Sequence, residues 1–238
     1  MIIAKDVSKA YGQGPNVVQA LDHVTVGFDT GAFAAIMGPS GSGKSTLMHC
    51  LAGLDTVTSG SILIGDIEIS GLSDRQLTLF RRDHVGFVFQ SFNLLPALTA
   101  EQNIRLPLEL AGCQPDPRWF REVVDVLGIG DRLGHRPSEL SGGQQQRVAC
   151  ARALISRPDV IFADEPTGNL DSRSGAEVLT FLRHSVRELG QTIVMVTHDP
   201  VAASYAERVV FLADGQFNGE LMNPSVAQLL DALKGQEC

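Results

Sequence analysis

Residues Gly38-Pro39-Ser40-Gly41-Ser42-Gly43-Lys44-Ser45-Thr46 meet every position of the pattern G-x-x-x-x-G-K-[ST]. That pattern demands one local fold: a buried strand, a tight turn, then a helix. Glycines lack a β-carbon and let successive backbone N–H groups turn toward one anionic centre. The helix that follows adds unpaired amides and the positive end of its dipole. The flanks agree. Phe33-Ala34-Ala35-Ile36-Met37 reads as a buried strand, and Leu47, Leu51 and Leu54 recur at helical spacing. Such a loop suits a nucleoside triphosphate, with Lys44 reaching the β- and γ-phosphates and the Ser45 hydroxyl ligating Mg²⁺.

The rest of the chain reads as α/β. Ile2-Ile3-Ala4, Leu21 to Val26 and Gly60 to Ile64 are short β segments between turns. Ser73 with Gln76, and Thr99 with Gln102, are capping-box pairs that open helices. Val85-Gly86-Phe87-Val88-Phe89 is another buried strand. From about 91 to 157 the pattern is helical, with Phe120, Val123, Val124 and Leu127 in a stripe stopped by Gly128. Val160 to Ala163, Thr192 to Val196 and Val209 to Leu212 are apolar on both faces, as covered parallel strands are. A helix with Leu179, Leu182, Val186 and Leu189 on one face ends at Gly190. Asn223-Pro224 opens a last helix carrying Val226, Leu229, Leu230 and Leu233. The expectation is one domain over 1–238. It has a three-layer core, a β-rich part over about 1–70 that includes the phosphate loop, and a helical insertion over about 91–157.

Composition excludes several classes. Hydrophobic residues are 44% of 238, enough for a packed core. The longest apolar stretches fall short of the roughly 18 residues a spanning helix needs. Met1 to Asp6 lacks a signal-peptide layout, so a cytoplasmic protein is expected. A net charge of −8 disfavours nucleic acid as a partner. Cys50, Cys113, Cys150 and Cys238 are scattered and fit reduced, unliganded thiols.

A second half of the site follows. Asp164 and Glu165 end the apolar strand that begins at Val160. Asp164 suits Mg²⁺, through water, and Glu165 is placed to polarise a water for attack on the γ-phosphate. His198 follows the next parallel strand, at the carboxyl edge where open α/β sheets bind ligands. The other five histidines have no such placement.

Leu140-Ser141-Gly142-Gly143-Gln144 is the sharpest discriminator. With it, the chain resembles the ATP-binding-cassette (ABC) ATPases from end to end. Six motifs stand in that family's order: the phosphate loop, Gln90 in the Q-loop position, the signature at 140–144, Asp164-Glu165, Asn169-Leu170-Asp171 in the D-loop position, and His198 in the switch position. Tyr11 falls where the family stacks an aromatic ring on adenine. The resemblance implies a P-loop NTPase core with an antiparallel β subdomain and an inserted helical subdomain. It implies ATP and Mg²⁺ as ligands, with Ser45, Gln90 and Asp164 about the metal. It further implies a nucleotide site running from Tyr11 and residues 38–46 to Asp171, with the signature residues of a second copy covering the γ-phosphate. A homodimer closed by ATP is the simplest arrangement. Gln90 is placed to sense the metal and γ-phosphate and to move the helical subdomain.

Ser91-Phe92-Asn93-Leu94-Leu95-Pro96-Ala97-Leu98 either packs the insertion or docks a short helix of a membrane partner. Residues 164–172 and 90–96 are similar to the lipoprotein-release and macrolide-export branch, whose permease is expected to be a separate chain at the cytoplasmic face of the membrane. A cell-division regulator of the same branch is the alternative. DNA-repair members insert a long coiled coil between the phosphate loop and the signature, and no heptad array lies there in this chain. Glu165 and His198 together argue for turnover over a silent ATP-binding scaffold.

Overall fold

The computed structural model describes residues 1–12 and 14–235, so Cys238 lies outside the described residues. Five strands alternate with two helices in the first third: β1 (Ile2–Tyr11), β2 (Val18–Phe28), β3 (Phe33–Met37), α1 (Lys44–Leu51), β4 (Ser59–Ile64), β5 (Ile67–Glu68) and α2 (Asp74–His84). Then come β6 (Val85–Phe89) and three helices, α3 (Ala100–Leu110), α4 (Pro117–Leu127) and α5 (Gly142–Leu154). The chain continues through β7 (Val160–Asp164), α6 (Ser172–Leu189), β8 (Ile193–Val196), α7 (Pro200–Ala203), β9 (Arg208–Ala213), β10 (Gln216–Met222) and α8 (Val226–Lys234).

The strands form two sheets. The first is antiparallel, in the order β2-β1-β4-β5. The second runs β10-β9-β3-β8-β7-β6 and is parallel except for β10, which pairs antiparallel with β9. β3 and the phosphate loop after it therefore belong to the second sheet. The boundary expected at 1–70 thus mixes two sheets, because β3 pairs with β8 and β9, far off in sequence.

Period-two alternation divides the core. Phe33, Ala35 and Met37 of β3 join the helices α3 to α8 in one apolar cluster. Ala34 and Ile36 point the other way, into a cluster with α1, α2 and the antiparallel sheet. Two buried faces explain why these strands read as unbroken apolar runs.

Local chemistry sets the helix ends. Ser73, Thr99, Ser141 and Ser225 each form a capping box with a glutamine three residues on. Gly128 and Gly190 end α4 and α6 in the left-handed conformation. Two expectations need correction. Leu54 is not on α1, which stops at Leu51 with Gly53 at φ 64°, and its side chain is 45% exposed. The last helix starts at Val226 from the cap Ser225, because Ser225 and Gln228 satisfy each other's donors where Asn223-Pro224 has no such pair.

Candidate functional site

The phosphate loop leaves β3 at its carboxyl end and enters α1 through Gly43. Gly43 has φ 94°, and a β-carbon there would lie 2.4 Å from the Ala20 carbonyl oxygen. At Gly38 a β-carbon would meet the Leu212 carbonyl oxygen at 2.0 Å. Both positions therefore require glycine. No side chain caps α1, so its first-turn amides stay available to an anion. Lys44 Nζ is folded onto the loop, donating to Gly38 O at 2.9 Å and Pro39 O at 2.6 Å. Burial holds this ammonium below the usual lysine range, although Glu165 and Asp164 pull it back up. Ser42 is 4% exposed, and its Oγ has no partner and lies under Gly38. Its side chain points into the loop.

Register brings the other groups to the same edge. Ile36 pairs with Val196, Val196 with Asp164, and Asp164 with Phe89. The residues just beyond these, Gly38, His198, Glu165 and Gln90, are therefore neighbours at the sheet's carboxyl end. Glu165 has φ 46° and turns sharply off β7, its N–H donating to Val196 O at 2.9 Å. Its Oε1 accepts from His198 N at 3.1 Å and lies 2.7 Å from His198 Nδ1, while Oε2 accepts from Thr197 Oγ1 at 3.2 Å. The His198 ring is 75% exposed and the Glu165 side chain 18%. Asp164 is half-buried. Burial pushes its carboxyl above the usual range, Glu165 adds to this, and His49 and Lys44 oppose it. Such a carboxylate is a fit seat for a cation. Among the described residues, no group of three or more His, Cys, Asp and Glu stands ready to hold a metal. The donor set here suits an ion whose other ligands are phosphate oxygens and water.

A cleft of about 460 Å³ gathers Gly38, Pro39, Ser40, Gly41, Lys44, Ser45, Glu165 and His198, with Leu233 of α8 at its side. Asp164, Gln90, Tyr11, Asp171 and the signature residues Ser141 to Gln144 do not line it, nor do Ser42, Gly43 and Thr46 of the loop. Gln90 instead pairs with Asn169. Gln90 Nε2 donates to Asn169 Oδ1 at 3.2 Å, and Asn169 Nδ2 donates to Gln90 O at 3.1 Å. Ser141 caps α5, and the Gln144 carboxamide returns to the Ser141 N–H at 2.9 Å. Asp171 caps α6 through the N–H groups of Arg173 and Ser174. Hydrogen bonds from the Ser174 amide and hydroxyl hold its carboxyl below the usual range. Tyr11 ends β1 with its ring 42% exposed.

Sequence reasoning assigned nothing to Gln146. It is fully buried, and its Nε2 donates to Pro166 O at 2.6 Å and Phe89 O at 3.2 Å. It thus joins the signature helix to the end of β6 and to the turn after Glu165. Three glutamines in a row gave no sign of which faced inward; only the helical phase set by buried Gly143, Ala149 and Cys150 distinguishes it.

A family model described as ABC transporter matches residues 21–168. An uncharacterized ABC transporter ATP-binding protein of Methanocaldococcus jannaschii is 47% identical over 218 residues, covering 91% of this chain and 97% of that protein. A macrolide export ATP-binding/permease protein of Burkholderia thailandensis is 46% identical over 231 residues. That match covers 96% of this chain and 35% of the relative, so the chain spans about a third of the macrolide-export protein's length. A solved dimeric structure of a bacterial ABC transporter cassette superposes with a TM-score of 0.85 at 42% identity, covering 94% of this chain and all of that one. A second solved dimer, in a post-hydrolysis state bound to ADP and Pi, gives 0.84 at 41% identity with the same coverage.

Proposed function

This chain belongs to the ABC transporter family, and we propose that it is the ATP-binding, ATP-hydrolysing part that powers a membrane permease of the export or lipoprotein-release type. The observation that carries this reading is the convergence of Lys44, Ser45, Glu165 and His198 on one cleft at the sheet's carboxyl edge. Lys44 gives up the carbonyls of Gly38 and Pro39 for the β- and γ-phosphates. The backbone of residues 38–46 and the α1 terminus take the remaining charge. Ser45, Asp164 and Gln90 would hold Mg²⁺, which when bound neutralises part of the phosphate charge. Glu165 orients the attacking water and accepts its proton. The water oxygen bonds to the γ-phosphorus as the bond to the ADP oxygen breaks. His198, mostly solvent-facing, is free to exchange Glu165 for the γ-phosphate.

The signature end of α5 stands outside the cleft, so a second copy supplies Ser141, Gly142 and Gly143 to it, with Gln144 and Asp171 at the same junction. The dimeric state of the solved relatives supports this arrangement. Tyr11 stacks on adenine. The permease docks in a groove of about 450 Å³ between α2, β6 and α3, where Leu54, Phe87, Leu106 and Leu110 meet Arg81 and Arg152. Leu110 is 75% exposed. Of the run 91–98, only Asn93 reaches this groove. No helix among the described residues is long and apolar enough to cross a membrane; the proposed permease contact would hold the chain at the cytoplasmic face. Purified protein with Mg-ATP should release phosphate, and Glu165→Gln should slow release by about 10²-fold or more. An unaltered rate in that variant removes Glu165 from the chemistry.

A further inference from the structure

We infer that Asp55 and Lys9 are positioning residues for the nucleobase: together they fix the Tyr11 ring as a pre-ordered stacking platform. The inference rests on the proposed role of Tyr11. An exposed aromatic at a strand end, followed by Gly12 at φ 90°, would ordinarily sample several orientations. Here both of its polar handles are tied. The Tyr11 hydroxyl donates to Asp55 Oδ2 at 2.6 Å. Lys9 Nζ sits 4.8 Å from the ring centroid, at cation–π distance. Lys9 is itself anchored to Asp55 Oδ1 at 2.6 Å and Thr56 O at 2.5 Å, and is 8% exposed. The Thr56 N–H donates to the same Asp55 Oδ1 at 2.7 Å. The carboxylate is thus bonded on both oxygens.

Two consequences follow for a purine. The cation at the ring draws π density toward itself and leaves the rest of the ring better matched to an electron-rich base. The platform is also tied to the phosphate subsite. Leu54 and Asp55 donate their N–H groups to His49 O at 2.8 and 3.2 Å, so Asp55 is fastened to the end of α1, whose start is the phosphate loop. One rigid helix therefore sets the spacing between the base and its phosphates.

Isothermal titration with Mg-ATP and with inorganic tripolyphosphate, which has no base, tests this. Asp55→Ala should weaken ATP about five- to tenfold, the loss expected when a side chain must be ordered on binding, and leave tripolyphosphate within about twofold. Tyr11→Phe, which cuts the hydroxyl link and leaves Lys9 anchored, should weaken ATP by no more than Asp55→Ala, and the double variant should lose no more than Asp55→Ala alone, since Asp55→Ala already cuts the link that Tyr11→Phe removes. Asp55→Asn, which keeps an acceptor for Tyr11 but not the charge for Lys9, should fall between and serves if the alanine variant folds poorly. Equal weakening of ATP and tripolyphosphate in both Asp55 variants overturns the inference, because Asp55 would then act through the phosphate loop. So does unchanged ATP affinity in both Asp55 variants while Tyr11→Ala weakens it. Unchanged ATP affinity in Tyr11→Ala refutes the stacking role itself, and the inference falls with it.

Discussion

Replacing Gln146 with glutamate should make folding strongly pH-dependent. In the parent, the Gln146 amide donates to Pro166 O and Phe89 O from a fully buried position. Phe89 O keeps a second donor, the Phe92 N–H at 3.1 Å, so Pro166 O depends on Gln146 far more. A charged glutamate would set an anion against two carbonyl oxygens in the interior. It will instead take a proton, and the neutral acid can donate to Pro166 O much as the amide does. The folded-state pKa of the new carboxyl is therefore raised above its unfolded value of about 4.3. A folded carboxyl that stays protonated at pH 7 costs about 1.4 kcal/mol for each pH unit above 4.3, or about 3.7 kcal/mol at pH 7. The sign follows: relative to the parent, the variant loses stability as pH rises and recovers it as pH falls toward 4.3. For a chain of this size that loss corresponds to a Tm about 7–15 °C lower at pH 7. Thermal unfolding of both proteins from pH 5 to pH 7.5 measures the difference. A gap in Tm that stays constant across that range would show that the Gln146 amide is not the donor to these carbonyls.

Other predictions rest on single geometries. Lys44→Ala should weaken Mg-ATP binding by at least about tenfold, since a charge-assisted contact to phosphate is lost, and equilibrium titration checks it. Cys50 and Cys150 are buried, and burial pushes both thiols up to about 12, so at pH 8 neither should be alkylated by iodoacetamide until the protein is unfolded. The exposed Cys113 should react in the native state, and peptide mass mapping distinguishes these sites.

The phosphate loop was legible because its pattern specifies backbone shape, and strand, turn and helix all lie within neighbouring residues. The same holds for the caps at Ser73 and Thr99, which need only four residues each. Strand order was not legible. That β3 lies between β8 and β9 depends on pairings across most of the chain, which no local pattern records. β10 escaped notice because its residues are mostly exposed and Gly219, at φ 102°, interrupts its alternation. Within the site, Asp164, Glu165 and His198 were readable from strand ends, but their convergence needed the register. The link from Glu165 to His198 and Thr197 emerges only when two strands are laid side by side. Asp55 and Gln146 were invisible because a polar residue announces its burial only through partners distant in sequence.

The account turns on a nucleotide site that one protomer cannot finish, since the phosphate cleft and the signature end of α5 do not meet within it. Sedimentation velocity of Glu165→Gln with and without saturating Mg-ATP measures this most directly. The account predicts a monomer without nucleotide and a stable species of twice that mass with it, reverting when Lys44→Ala is added. A monomer under both conditions, with ATP demonstrably bound, would contradict it.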